Sequence, residues 1–340
     1  MTVSSNEAPA QSGFSLRALL IRQEFILFVI TIVGVLLLAT QSDKFLTVDN
    51  ILNQGRLVTE VALVALPMTL IIITGGIDLS VGSIMGVCAI VLGYSWKNLG
   101  FPLELAIAFT LVVGLVAGLL NGLFIVRLGL PPLIMTLATF ALYRGLAEGI
   151  SQARSVRGYP DWFFEMGQKN FMSYEKGVPN QLIIVVIAAV IVGIILARTP
   201  FGRGLYAIGN NEMGARFSGI PVFLYKLVIY SFSGFMAGMA AWIYVSRVST
   251  TRSDMGTGLE LDAIAAVVIG GTSIFGGSGT IIGTVIGLIL IQLLKNGLAL
   301  SGVKGDSTTI VVGLVLILAI VLNNFIQNPP EWFKRRFASS

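Results

Sequence analysis

Long apolar runs separated by short polar interruptions dominate the chain from Phe25 onward. A helix needs about 20 apolar residues to cross a bilayer core, with roughly 17–25 tolerated. That ruler predicts helical spans near 25–41, 57–74, 81–96, 103–126, 131–150, 181–197, 225–245, 261–271, 280–300 and 307–325. Several are short. The run from Leu261 to Gly271 reaches only about 16 Å at 1.5 Å per residue, so it either continues through the Gly-rich stretch behind it or forms half of a broken helix. The expected fold is an all-α polytopic membrane protein of about ten helices, some short or broken.

Composition supports this. Apolar residues make up 55% of the 340 and charged residues 11%, with a mean hydropathy of +0.88. Soluble domains carry about 25% charge, so most of this chain faces something other than water. With no histidine, a Ser-His-Asp or Cys-His centre is excluded, as are the usual zinc sites. The single cysteine, Cys88, excludes an intrachain disulfide. Neither a cofactor nor a metal is expected. The net charge of +5 fits basic loops on one membrane face and is no argument for nucleic acid.

Residues 1–24 are polar and end in Arg17 and Arg22. The run behind them is longer than a signal-peptide core and lacks a clean cleavage site, which favours an uncleaved first span. Lys/Arg counts in the loops tie between the two sides. Placement decides, because Lys334, Arg335 and Arg336 cluster at the end and Arg198, Arg203, Arg216 and Lys226 share one loop. The resulting plan has a cytoplasmic segment 1–24, a membrane domain 25–325 with a cytoplasmic loop 198–224, and a cytoplasmic basic tail 326–340.

Two Gly-rich interruptions echo each other. Gly75-Gly76-Ile77-Asp78-Leu79-Ser80-Val81-Gly82-Ser83 aligns without gaps on the segment from Gly270 and Gly271 through Thr272 and Ser273 to Ser278. Paired breaks of this kind in two halves of a transporter point to a site near the midplane. Asp78 sits between two spans too close for an ordinary loop, and an acid there must face protein or a wet cavity. Two readings stand: Asp78, Ser80 and Ser83 line or gate a polar pathway, or Asp78 caps the next helix. Arg144 and Glu148, four apart on one face, are expected to pair within their helix. Pro131-Pro132 marks a rigid helix start.

In the loop, Asn210 or Asn211 can cap a helix, Glu212 suits a first turn, Gly219 can end it, and Pro221 forbids continuation. These signals predict a short helix at about 211–218 on the membrane face, with Ala215 and Phe217 available for packing. It either rests on lipid or docks a soluble partner. Gly276-Gly277-Ser278-Gly279 lacks the lysine of a phosphate loop, and no such motif occurs in the chain, so nucleotide hydrolysis would fall to another polypeptide.

Thr74 through Ser83, Asn121-Gly122, the 206–221 stretch, and 258–273 followed by 276–279 together resemble the permease subunits of bacterial ribose-type sugar ABC importers. The likeness covers about residues 25–325. Ala65–Thr69 and Ser253-Asp254 bring it nearest to permeases for autoinducer-2 and, less distinctly, rhamnose. The resemblance implies a transport subunit of the bacterial inner membrane that is not an enzyme. It also implies a second permease, identical or paralogous, an ABC ATPase holding the ATP, and a periplasmic substrate-binding protein. By resemblance, Gly75, Gly76, Asp78, Ser80, Ser83, Gly270, Gly271 and Ser273 belong to the pathway or its gate. Asn211, Glu212, Gly214, Ala215, Arg216 and Gly219 belong to the coupling helix. The alternative is a secondary transporter driven by an ion gradient, with Asp78 as its titrating centre. An intramembrane enzyme finds no paired carboxylates or ligand cluster in the sequence.

Overall fold

The computed structural model describes residues 42–173 and 177–303, together with scattered positions between 29 and 40 and between 305 and 317. The expected span at 25–41 is described only in part, that at 307–325 lies largely outside the described residues, and 1–24 and 326–340 lie wholly outside them.

Twelve α-helices are described, joined by short loops: α1 (Val48–Leu57), α2 (Thr59–Ile73), α3 (Val81–Lys97), α4 (Leu103–Arg127), α5 (Pro132–Ser151), α6 (Glu165–Gln168), α7 (Asn180–Arg198), α8 (Pro200–Asn210), α9 (Glu212–Phe217), α10 (Val222–Val248), α11 (Leu259–Ile269) and α12 (Ile281–Leu300). Five of them, α4, α5, α7, α10 and α12, are long and apolar enough to cross a membrane; α1 and α2 reach that length only together and are bent by 50° between them. The sequence reading missed α1. Its hydrophobicity is low, but Thr47 caps it by accepting from Asn50 N–H, with Asp49 in the first turn and Arg56 in the last.

The core is organised around α10, which packs on α2, α3 and α4. Gly114 and Gly118 of α4 meet Gly234 and Gly238 of α10 so closely that a Cβ on Gly118 would stand 2.1 Å from the Tyr230 carbonyl oxygen. This is small-residue packing, which brings backbones together where lipid supplies no hydrophobic drive. At the end of α10 remote from α8 and α9, the chain from 152 to 173 folds back over the bundle. There Val156–Arg157 (β1) pairs antiparallel with Thr250–Thr251 (β2), and Trp96 stacks on Tyr159 at 4.5 Å.

Candidate functional site

The first Gly-rich signature is a true helix break. α2 ends in a Schellman turn: Gly75, at φ +76°, donates its N–H to Ile72 O and Gly76 donates to Ile71 O. Gly76 then leaves room for the Tyr230 ring, since a Cβ there would lie 2.6 Å from the phenol oxygen.

Asp78 is completely buried. Its Oδ1 accepts from the Ser80 N–H at 3.0 Å and the Ser80 hydroxyl at 2.6 Å, and its Oδ2 accepts from the Ser233 hydroxyl of α10 at 3.2 Å. Asn121 of α4 donates to Ser80 Oγ at 2.7 Å, and Ser83 donates to the Ser80 carbonyl at 2.8 Å. Thr136 of α5 reaches the Ile77 carbonyl at 3.1 Å. The break is therefore a polar node joining four helices. Asp78 is not the formal cap of α3, because Ser80 holds that position. The acid stands two residues earlier, in an Asx turn that fixes the helix start while its second oxygen crosses to α10. Among the described residues no cation pairs with it. Asn121 Oδ1 and the Tyr230 hydroxyl, both beside it, also find no partner there.

The second break repeats the turn with a shift in register. α11 stops at Ile269, and the segment behind it does not continue the helix. Gly271, at φ +92°, donates to Val268 O and Thr272 donates to Val267 O, so Gly271 plays the part of Gly75. The ungapped alignment paired Gly75 with Gly270 and was one residue off. Gly270 instead packs on α12, where a Cβ would meet the Gly283 carbonyl oxygen at 2.4 Å. Ser273 is buried in the loop, its N–H bonded to the Ser278 carbonyl.

The two breaks touch. Gly277 N–H donates to the Ile73 carbonyl at 2.9 Å. The end of α8 enters the same junction: a Cβ on Gly209 would lie 1.8 Å from Ile73 O and 2.5 Å from Gly277 N. Tyr206 adds a hydroxyl bond to the Gly279 carbonyl at 2.8 Å. Sequence reading did not single out α8, although Thr199 as N-cap, bonded to Gly202 N–H, with Pro200 at the first position, is a helix-start signal.

The expected loop helix is α9. Asn211 caps it by accepting from Gly214 N–H at 2.8 Å, and Gly219, at φ +83°, ends it in a Schellman turn with Ile220 N–H on Ala215 O. Ala215 is buried with Ile208 and Val222, but Phe217, expected to pack, is 86% exposed and Met213 is exposed beside it. At i, i+4 the two make one apolar stripe facing away from the bundle. Glu212 bonds both Arg216 at 2.7 Å and Lys226 at 2.6 Å, tying α9 to the first turns of α10. Burial pushes the Glu212 carboxyl upward, yet the hydrogen bonds and charges of Lys226 and Arg216 hold it below the usual glutamate value.

Arg144 departs from expectation. No ion pair joins it to Glu148. Its guanidinium donates to the carbonyls of Ser253 and Met255, the latter at 3.1 Å. These belong to the segment that leads from α10 into α11 and lies against α3, where a Cβ on Gly86 would meet both carbonyls. Periodicity along one helix could not reveal a partner more than a hundred residues away.

Helices of spanning length, two Gly-rich helix breaks in contact, and a helical loop pressed against both define a multi-pass membrane transport subunit. The family described as the permease component of branched-chain amino acid transport systems matches residues 50–320, and the chain belongs to it. The chain is 40% identical over 291 residues to the ribose import permease protein RbsC of Bacillus subtilis, covering 85% of this chain and 89% of the relative. To the autoinducer 2 import system permease protein LsrD of Photorhabdus laumondii it is 35% identical over 304 residues, with 88% and 90% covered. LsrD of Yersinia enterocolitica is likewise 35% identical over 285 residues, 81% of this chain and 85% of the relative. The chain is thus a permease subunit of an importer and not an enzyme.

Proposed function

We propose that this chain is the membrane-spanning permease of an ATP-binding-cassette importer for a small neutral carbohydrate or carbohydrate-like molecule, of the kind that autoinducer-2 and ribose represent. It sits in the bacterial inner membrane with the 198–224 loop and both termini in the cytoplasm. A second permease, identical or paralogous, completes the pathway, and a periplasmic binding protein delivers substrate to the face opposite the loop.

One observation supports this reading most: the apolar stripe of Met213 and Phe217 faces outward on a helix whose neighbour α8 is wedged between the two breaks. A docked ATPase would grip α9, and its closure would pull on Gly209. Ile73 and Gly277 would then move relative to one another, shifting the breaks between two packed arrangements. Gly75, Gly76, Asp78, Ser80 and Ser83 on one side, and Gly270, Gly271 and Ser273 on the other, form the gate in this scheme. Asn211, Glu212, Gly214, Ala215, Arg216 and Gly219 build the coupling helix.

The test is uptake into proteoliposomes. Ribose or autoinducer-2 is expected to enter only with the partner ATPase, the binding protein and ATP. Uptake by the purified chain alone under a proton or sodium gradient would falsify this reading and favour the secondary transporter.

A further inference from the structure

At the end of the bundle remote from α9, a cavity of about 600 Å³ opens between α1, α2, α10, α11 and α12. Small-molecule sites commonly measure about 300–1,000 Å³. It lies roughly 33 Å along α10 from the coupling end, counting Val222 to Tyr244 at 1.5 Å per residue. Its lining is unusual for an apolar bundle. Gln54 donates to Asn50 Oδ1 at 3.0 Å and to Asn296 Oδ1 at 2.9 Å, and it accepts from Gln292 at 2.7 Å. Asn53 lines the same space. Asn296 is only 7% exposed, yet its amide nitrogen has no acceptor among the described residues.

Two ion pairs complete the wall. Arg247 bonds Glu60 at 2.9 Å while its guanidinium lies 4.9 Å from the Tyr244 ring centre, and Lys295 pairs with Asp262. The four charges cancel in sum, so the wall carries no net charge to attract an ion of either sign. A carboxamide presents a donor and an acceptor side by side, which matches the double character of a hydroxyl. Leu57, Val61 and Leu259 supply apolar surface for the C–H face of a ring.

We infer that this cavity is an entry subsite for a small neutral polyol, read by the carboxamides of α1 and α12. The inference rests on the importer reading and gives its substrate a place to land. The family's description names branched-chain amino acids, whose aliphatic side chains would leave the Asn296 amide nitrogen without an acceptor; a hydroxyl would supply one.

The experiment uses the permease with its ATPase in proteoliposomes. Cys88 is fully buried, so Asn53→Cys gives one reactive thiol at the cavity. Labelling by N-ethylmaleimide is expected to slow at least threefold with saturating ribose or autoinducer-2 and to stay unchanged with leucine. Equal rates with every solute, or slowing by leucine alone, overturns the inference. In parallel, with the binding protein and ATP added, Gln292→Leu is expected to lower kcat/KM for uptake about tenfold while the ATPase still co-purifies; unaltered uptake also overturns it. Loss of ATP-driven uptake in the wild type instead defeats the importer reading, and the labelling result remains readable by itself.

Discussion

Ile73 and Gly277, 204 positions apart in the numbering, are joined by a 2.9 Å hydrogen bond between the last carbonyl of α2 and an amide of the second Gly-rich loop. Neither helix break is a free hinge. Each is held by the other, and Gly209 fills the remaining space against both.

Gly209→Ala is therefore expected to be far more damaging than the same change at a helical glycine with open space around it. Its Cβ would fall 1.8 Å from Ile73 O, so α8 must withdraw from the junction. ATP-driven uptake should drop at least tenfold with membrane insertion intact. Gly145→Ala, which meets nothing within 4 Å, is the matched control and should transport normally.

Docking on α9 is best tested at Phe217. Arg216→Glu would also break the bond to Glu212, confusing partner binding with local unfolding. Phe217→Asp touches no packed side chain and should leave expression unchanged. An uncompensated charge in a protein cleft typically costs about 2–5 kcal/mol. Co-purification of the ATPase should fall accordingly; unchanged co-purification and uptake would make α9 a lipid-surface element.

The Glu212 tie carries a pH signature. Its folded pKa is depressed, so its contribution is complete above the unfolded value of about 4.3 and is lost as pH falls through the lower folded value. Hydrogen-exchange protection of α9, corrected for intrinsic rates, should hold through neutral and mildly acid pH and fail only below that point. Glu212→Gln should show weaker protection at neutral pH with the acid step removed.

Asp78→Asn should keep much of the transport activity. The remaining amide oxygen still accepts from Ser80, and the Ser233 hydroxyl can turn to accept from the new NH₂. Asp78→Ala removes every acceptor and should lower both expression and uptake. Complete loss of uptake in well-folded Asp78→Asn would point to a proton-coupled role.

Arg144→Gln is expected to destabilise the protein by about 1–3 kcal/mol, because the half-buried bonds to the Ser253 and Met255 carbonyls lose their charged donor. A thermal shift in detergent would measure it. Arg144→Lys should recover only part, lacking the planar fork.

The sequence by itself determined the class of fold and most helix limits, since apolar run length and the punctuation by Gly and Pro act locally. It also predicted α9, whose cap at Asn211 and stop at Gly219 lie within nine positions of each other. Tertiary structure alone decided what those elements touch. Phe217 faces outward, Arg144 ignores Glu148, and Asp78 serves α10 as well as α3, because each outcome depends on a partner distant in the chain. The register of the second break shifted for the same kind of reason: both Gly270 and Gly271 can end a helix, and packing of Gly270 against Gly283 left the positive φ to Gly271. The polar cavity was invisible as a pattern. Its amides come from α1 and α12, and only the bundle brings them together.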